Sequence, residues 1–252
     1  MSKKLELNCD MGESFGAWKM GNDLAILPYI DAANIACGFH GGDPTVMRQT
    51  VAAALAHNVV LGAHPGLPDL QGFGRRAMQV SPQEVYDMVV YQIGALAAVA
   101  ASQGARLHHI KAHGALGNTA AKNAALAEAI AQATRDVDAS LIFYAQASTE
   151  LITAGHNAGL TTVSEVFADR TYQPDGSLTP RSQPNAMITD LDAAITQVLN
   201  MVVNGKVRTQ DGREIAIVAD TLCMHGDQPG AVAFARGIRE ALERTGVVIG
   251  AC

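Results

Sequence analysis

The chain has 252 residues, 48% of them hydrophobic and 17% charged, with 24 Asp+Glu against 18 Lys+Arg. That apolar content excludes a disordered chain, and the net charge of -6 argues against nucleic acid or an anionic membrane as main partner. The length suits one large α/β domain or two small ones, and no run of about 18 apolar residues offers a membrane span.

The first eight residues are basic, but Glu6 and Asn8 interrupt any apolar stretch, so no signal peptide is expected. Cys9, Cys37, Cys223 and Cys252 lack zinc-ribbon spacing. They are expected as free, mostly buried thiols in a reducing cytoplasm. Strands are predicted at residues 5–10, 32–38, 59–64, 107–113, 141–146, 161–169 and 215–225, with helices between most of them. Asp43-Pro44 opens one helix, as N-cap and first helical residue, and Asn58 closes it. Ser81-Pro82-Gln83-Glu84 is a capping box whose helix runs to Gly104. Ser148 and Gly159 bracket a shorter helix, and Asp227-Gln228-Pro229 opens the last, which ends near Gly246.

Such β-then-α alternation predicts a parallel sheet with helical crossovers. Without a Gly-rich dinucleotide turn, seven units suit a closed or nearly closed barrel. In the first strand Leu5, Leu7 and Cys9 share one face, while Glu6, Asn8 and Asp10 share the other. A strand between two helix layers would be apolar on both faces, so a polar face points into a barrel. His109, Lys111 and His113 repeat the phase in the fourth strand. No repeat or linker marks a second domain. Two connections, residues 65–80 and 170–187, exceed ordinary α/β loop lengths and are candidate lids or binding loops. Residues 206–214, centred on Asp211-Gly212, read as a small hairpin.

Barrel enzymes keep their chemistry at the C-terminal strand ends. There the sequence places Asn8, Asp10 and Glu13; His40 and Asp43; His64 and Asp69; Lys111 and His113; Glu165, Asp169 and Arg170; and His225 with Asp227. Asp43 and Asp227 read first as helix N-caps, Asp69 as a turn cap, and His57, His108 and His156 as structural. Glu6 is expected deeper in the barrel, either buried in a pair with Lys111 or taking part in catalysis. Asp10, His40 and His64 suit a zinc-like ion, and with Lys111 and His113 they equally suit metal-free acid–base work. Lys111 at an inner strand end is either desolvated, with a lowered pKa, or a cation for an oxyanion. Arg75, Arg76, Arg170 and Arg181 lie in the long loops, where a guanidinium fork would hold a small carboxylate. No GxxxxGK[ST] phosphate loop and no GxSxG elbow occurs, so any ATP site is unrecognised here or belongs to a partner.

Seven motifs in order, from Asn8 to Asp227, resemble the LamB/YcsF family. They are Leu7-Asn8-Cys9-Asp10-Met11-Gly12-Glu13, the segment from Ala33 to Pro44, and Gly62-Ala63-His64-Pro65; then Gly72-Phe73-Gly74-Arg75-Arg76, Lys111-Ala112-His113-Gly114, Glu165-Val166-Phe167-Ala168-Asp169-Arg170 and His225-Gly226-Asp227. Ala112, Gly117 and Gly66-Leu67 depart from the family pattern, where proline, tyrosine and Ser-Tyr are expected. The resemblance implies a (β/α)7-type TIM-like barrel related to the glycoside hydrolase and deacetylase barrels. It also implies a place in a cytoplasmic three-subunit enzyme, with B and C subunits as partners, that hydrolyses 5-oxoproline to glutamate with ATP as co-substrate. In that setting Asp10, His64, Lys111 and His113 are the expected catalytic residues. Asn8, Glu13, His40, Arg75, Arg76, Glu165, Arg170, Arg181 and His225 are the expected substrate contacts. Two alternatives from other classes stay open: a stand-alone metal-dependent deacetylase or amidase, and a non-catalytic lactam-binding subunit.

Overall fold

A computed structural model describes residues 3–225 and 230–252. The expected opening of the last helix at residues 227–229 lies outside the described residues. In chain order the elements are β1 (Lys4–Met11), α1 (Asp23–Ile26), β2 (Ala32–Ala36), α2 (Pro44–Ala56), β3 (Val60–His64), α3 (Pro82–Ala101), β4 (His109–Lys111), α4 (Gly114–Ala120), α5 (Ala124–Val137) and β5 (Ile142–Gln146). Then follow α6 (Glu150–Asn157), β6 (Thr162–Phe167), α7 (Leu191–Asn204), β7 (Lys206–Arg208), β8 (Glu214–Ala216), β9 (Thr221–Met224), α8 (Ala231–Arg244) and β10 (Val248–Ile249).

Strands β1, β2, β3, β4, β5, β6 and β9 pair in that order, each parallel to the next, and β9 pairs back to β1. The ring is therefore a closed seven-stranded barrel. The expected seventh strand is shorter than residues 215–225. Its first residues pair antiparallel with β7 as the far arm of a hairpin, and only Thr221–Met224 joins the ring. The carbonyls of Lys3, Leu5 and Leu7 all face one side of β1. They accept from Val248, Gly250 and Asp31, so β10 continues the β2 edge below the ring.

The helix boundaries follow their capping chemistry. The Asp43 carboxylate accepts from Thr45 N (2.8 Å) and Val46 N (3.0 Å), and Pro44 starts α2 where a missing N–H costs nothing. The Ser81–Glu84 capping box closes in both directions, Ser81 N to Glu84 Oε2 (2.7 Å) and Glu84 N to Ser81 Oγ (3.2 Å). Among the described residues α3 is long and apolar enough to span a membrane. Its Val85, Val89, Ile93, Leu96 and Ala100 are nevertheless buried in the protein core, so it is a wall helix of the barrel.

Inside the ring the polar phase of β1 meets matching groups. The Glu6 carboxylate accepts from Tyr144 Oη, Thr221 Oγ1 (2.8 Å) and the Cys252 amide (2.9 Å). Asn8 donates to Thr221 Oγ1 (2.8 Å), Asn34 donates to Asn8 Oδ1 (2.8 Å), and His109 Nε2 lies 2.7 Å from Asn34 Oδ1. Glu6 is therefore a partner of Tyr144 and Thr221 rather than of Lys111. This barrel is filled by a hydrogen-bonded polar column instead of the usual branched apolar layers.

Gly62 keeps that column in place, because a Cβ there would run into the His109 ring. Gly62→Ala is expected to push His109 off Asn34. The cost is about 1–3 kcal/mol of overpacking plus a comparable penalty for a buried orphaned acceptor. A lower urea midpoint at unchanged slope is the readout.

Candidate active site

The C-terminal ends of the ring bring the remaining polar residues to one cavity of about 480 Å³. Asp10, His64, Lys111, His113 and Glu165 line its floor, and Arg75, Arg170, Arg181 and His225 line its walls. Strand phase contributes to the convergence. Asp10 pairs with Asn34, Ala36 with His64, Lys111 with Tyr144 and Glu165 with Thr221, so inward-facing residues stand beside one another on neighbouring strands.

Lys111 is the hub. Its Nζ lies 2.8 Å from Asp10 Oδ1, 2.8 Å from Glu165 Oε1, 3.0 Å from Cys223 Sγ and 3.5 Å from Asn8 Oδ1. Burial alone would lower its pKa. Asp10, Cys223 and Glu165 outweigh that and hold the ammonium well above the ordinary lysine value. The expectation of a desolvated, low-pKa lysine is therefore corrected, and the cation alternative stands. Asp10 is the mirror case: burial would raise it, but His64 and Lys111 hold it well below the usual carboxylate range. Burial wins at Glu165, whose carboxyl is raised in spite of Lys111. Two adjacent carboxyls are thus pushed apart, Asp10 downward and Glu165 upward.

Beside this hub stand three histidines. His64 Nδ1 is 2.8 Å from the Lys111 carbonyl, and its Nε2 is 2.9 Å from His113 Nδ1 and 3.3 Å from Asp10 Oδ2. His113 Nε2 is 2.8 Å from the Phe73 carbonyl. His40 stacks flat on His113 at 3.6 Å between ring centres, with its Nε2 3.3 Å from Glu13 Oε1. Burial pushes His40 and His113 well below the ordinary histidine value, so both sit as neutral imidazoles near pH 7. Gly74 makes the close packing possible, since it takes φ +62° and a Cβ there would press to 2.7 Å on His40 Cβ and 2.9 Å on His113 Cδ2.

The four arginines divide. Arg75 lies over the Phe73 ring (4.8 Å) and lines the cavity, and Arg181 reaches His225 Nε2 at 3.4 Å. Arg170 also lines it, but its guanidinium donates to the carbonyls of Thr179 (2.6 Å) and Ala186 (3.3 Å), pinning the second long loop. Its pKa falls to about 10 through burial. Arg76 is outside the cavity lining, clamped onto Asp69, which also caps its own turn through Gly72 N (3.0 Å). Asn8 is fully buried in the column beneath the floor, and Glu13 sits beside His40 and His113. His225 Nδ1 is held by Asp169 (2.8 Å), and the rest of its motif, residues 226–227, lies outside the described residues.

The donor atoms of Glu13, His40, His64 and His113 lie within 4.8 Å of one another, as do those of Asp10, Cys223 and His225. Both groups could hold a metal by spacing. They differ from the expected set of Asp10, His40 and His64, because Asp10 Oδ1 is engaged by Lys111 and Asn34, and His40 turns its Nε2 to Glu13. In the second group, Lys111 Nζ already lies against both Asp10 and Cys223.

The model of the LamB/YcsF family matches residues 5–252. The chain belongs to the LamB/YcsF family. A relative from Bordetella parapertussis, named as the A subunit of 5-oxoprolinase, is 70% identical over 249 residues, covering 99% of each chain. One of the same name from Shouchella clausii is 61% identical over 245 residues, 97% of each chain. The crystal structure of a lactam utilization protein from Thermus thermophilus superposes with a TM-score of 0.93 at 48% identity, covering 99% of this chain and all of that one. As a LamB/YcsF barrel the chain carries site residues that its motifs do not announce. Cys223 reads as packing in the sequence, although Thr221, Cys223 and His225 alternate on the inward phase of β9. Tyr144 likewise occupies an inward position opposite Lys111, and Asn34, inside the second motif but not among the expected site residues, stands opposite Asp10. Of the family-pattern departures, Gly117 lines the cavity, and a Cβ at Gly66 would come to 2.6 Å of His40 Nδ1, so both shape this wall.

Proposed function

We propose that the chain is the A subunit of a cytoplasmic, ATP-dependent 5-oxoprolinase, opening the ring of 5-oxo-L-proline to L-glutamate together with B and C subunits. Lys111 carries this reading, as a buried ammonium fixed between an ionised Asp10 and Glu165, whose carboxyl is raised by burial, at the floor of the cavity. The 70% identity to a protein named as the A subunit of 5-oxoprolinase supports it.

A lactam carbonyl is a poor electrophile because the amide is resonance-stabilised. Transfer of the ATP γ-phosphoryl group to the carbonyl oxygen breaks the terminal phosphoanhydride, releases ADP, and leaves an imidate phosphate that water can attack. Lys111 stabilises the charge on that oxygen, as a preorganised cation in a dry site does. Asp10 and the His64–His113 pair orient the water and take its proton. As the ring C–N bond breaks, Glu165 returns a proton to the departing nitrogen. The γ-acyl phosphate that remains is hydrolysed by a second water, so one ATP and two waters give glutamate, ADP and phosphate. Arg75 and Arg181 hold the substrate carboxylate. The chain carries no recognisable phosphate-binding loop, so the ATP site is either of another kind in this chain or belongs to a partner subunit.

Replacing Arg75 or Arg181 by alanine is expected to raise KM for the lactam roughly 10-fold or more while kcat changes little, the loss of one charge-assisted contact. The test of the whole reading is reconstitution with candidate B and C subunits, following glutamate and ADP. Glutamate formation should need all three chains and ATP. Lactam opening by this chain alone without ATP would instead make it a stand-alone amidase, and full turnover by the other two without it would remove it from the reaction. Turnover that falls in site variants only in step with lactam binding would make it a carrier of the lactam.

A further inference from the structure

Two backbone carbonyls decide where the protons of the histidine pair sit. The carbonyls of Lys111 and Phe73 only accept, so His64 Nδ1 and His113 Nε2, each 2.8 Å away, carry the hydrogens. The other ring nitrogens are then the ones left for a further partner. These two atoms, His64 Nε2 and His113 Nδ1, face one another at 2.9 Å. A cation between or beside them would be held by both. Carboxylates flank the same two atoms: Glu13 Oε1 at 3.5 Å from His113 Nδ1 and Asp10 Oδ2 at 3.3 Å from His64 Nε2.

We propose that Glu13, His64 and His113 form a two-histidine, one-carboxylate site for a divalent first-row metal ion of the zinc class. A four-coordinate zinc ion with bonds of about 2.0–2.1 Å spaces its ligand atoms roughly 3.3 Å apart, and the 2.9 and 3.5 Å separations bracket that value. Each histidine gives its distal N–H to a backbone carbonyl, which is how metal-bound imidazoles are oriented. Both rings line the cavity, so a remaining coordination position opens toward substrate. His40 is excluded from the set by its own geometry. Its ring lies parallel to His113 (3°) with centres 3.6 Å apart, and no ion can lie in the plane of both. His40 instead buttresses His113 and holds Glu13. An ion there would bind water and lower its pKa, which refines the role given above to the histidine pair and rests on that reading only for its use.

The test is metal binding by the full-length chain, stripped with a chelator and titrated with Zn²⁺ and with Co²⁺. One ion per chain and the visible absorption of four-coordinate Co²⁺ are expected. His113→Ala and Glu13→Gln should each weaken binding by about 100-fold or more, with far-UV circular dichroism unchanged. His40→Ala should retain the ion. Failure of the wild-type chain to hold Zn²⁺ or Co²⁺, or binding unchanged in both His113→Ala and Glu13→Gln, overturns the site. Either failure is separate from the hydrolase reading, which is decided by glutamate formation in the assembled enzyme.

Discussion

Lys111→Met in the assembled enzyme is expected to lower lactam-dependent ATP hydrolysis by about 10²–10³-fold or more, the scale of losing a preorganised oxyanion partner. Methionine approximates the length and removes the charge. The fold also loses stability, because Asp10 and Glu165 remain buried without their cation, and breaking such a pair costs about 3–5 kcal/mol. Removal of Lys111 lifts its lowering effect on the Glu165 carboxyl, and protonation of Glu165 keeps the loss toward the lower figure. Lys111→Arg should not restore turnover, since a planar fork cannot meet Asp10, Glu165 and Cys223 as a point charge does. Steady-state kinetics and urea unfolding on the same protein separate the two losses.

Asp10→Asn is the second large effect. Turnover should fall by about 10²–10⁴-fold, as expected when a group that positions water and cation is removed. The substitution also changes the acid profile. The folded pKa of Asp10 lies below its unfolded value of about 3.9, so the carboxylate contributes stability above that pH. That contribution is lost as pH falls through the folded value. Wild-type protein should therefore lose stability steeply below about pH 4, and Asp10→Asn should lose less over the same interval while starting lower. Equal slopes in the two proteins would show that the carboxylate is not paired as described.

The barrel is legible because β1 alternates apolar and polar residues in strict phase, and only a closed ring gives Glu6, Asn8 and Asp10 an enclosed polar side. Strand-end histidines and Lys111 point to one mouth for the same reason. Other features depend on what stands across the ring, which no single strand reveals. The Lys111 pKa turns on Asp10, then Cys223 and Glu165, which stand across the ring on other strands, and burial alone suggests the opposite sign. Arg75 and Arg76 are adjacent and chemically alike, yet the turn capped by Asp69 sends one to the cavity and clamps the other. Glu6 matches Lys111 by strand phase, whereas Tyr144 and Thr221 meet it first. The seventh strand is shorter than its apolar pattern because residues 215–216 serve the hairpin.

Where the lactam sits is the most direct test. A crystal structure of the chain with 5-oxo-L-proline should show the ring in the cavity, with its carbonyl oxygen within hydrogen-bond distance of Lys111 Nζ and its carboxylate on Arg75 or Arg181. A lactam bound outside the cavity, or inside it with the carbonyl turned away from Lys111, would contradict the proposed chemistry.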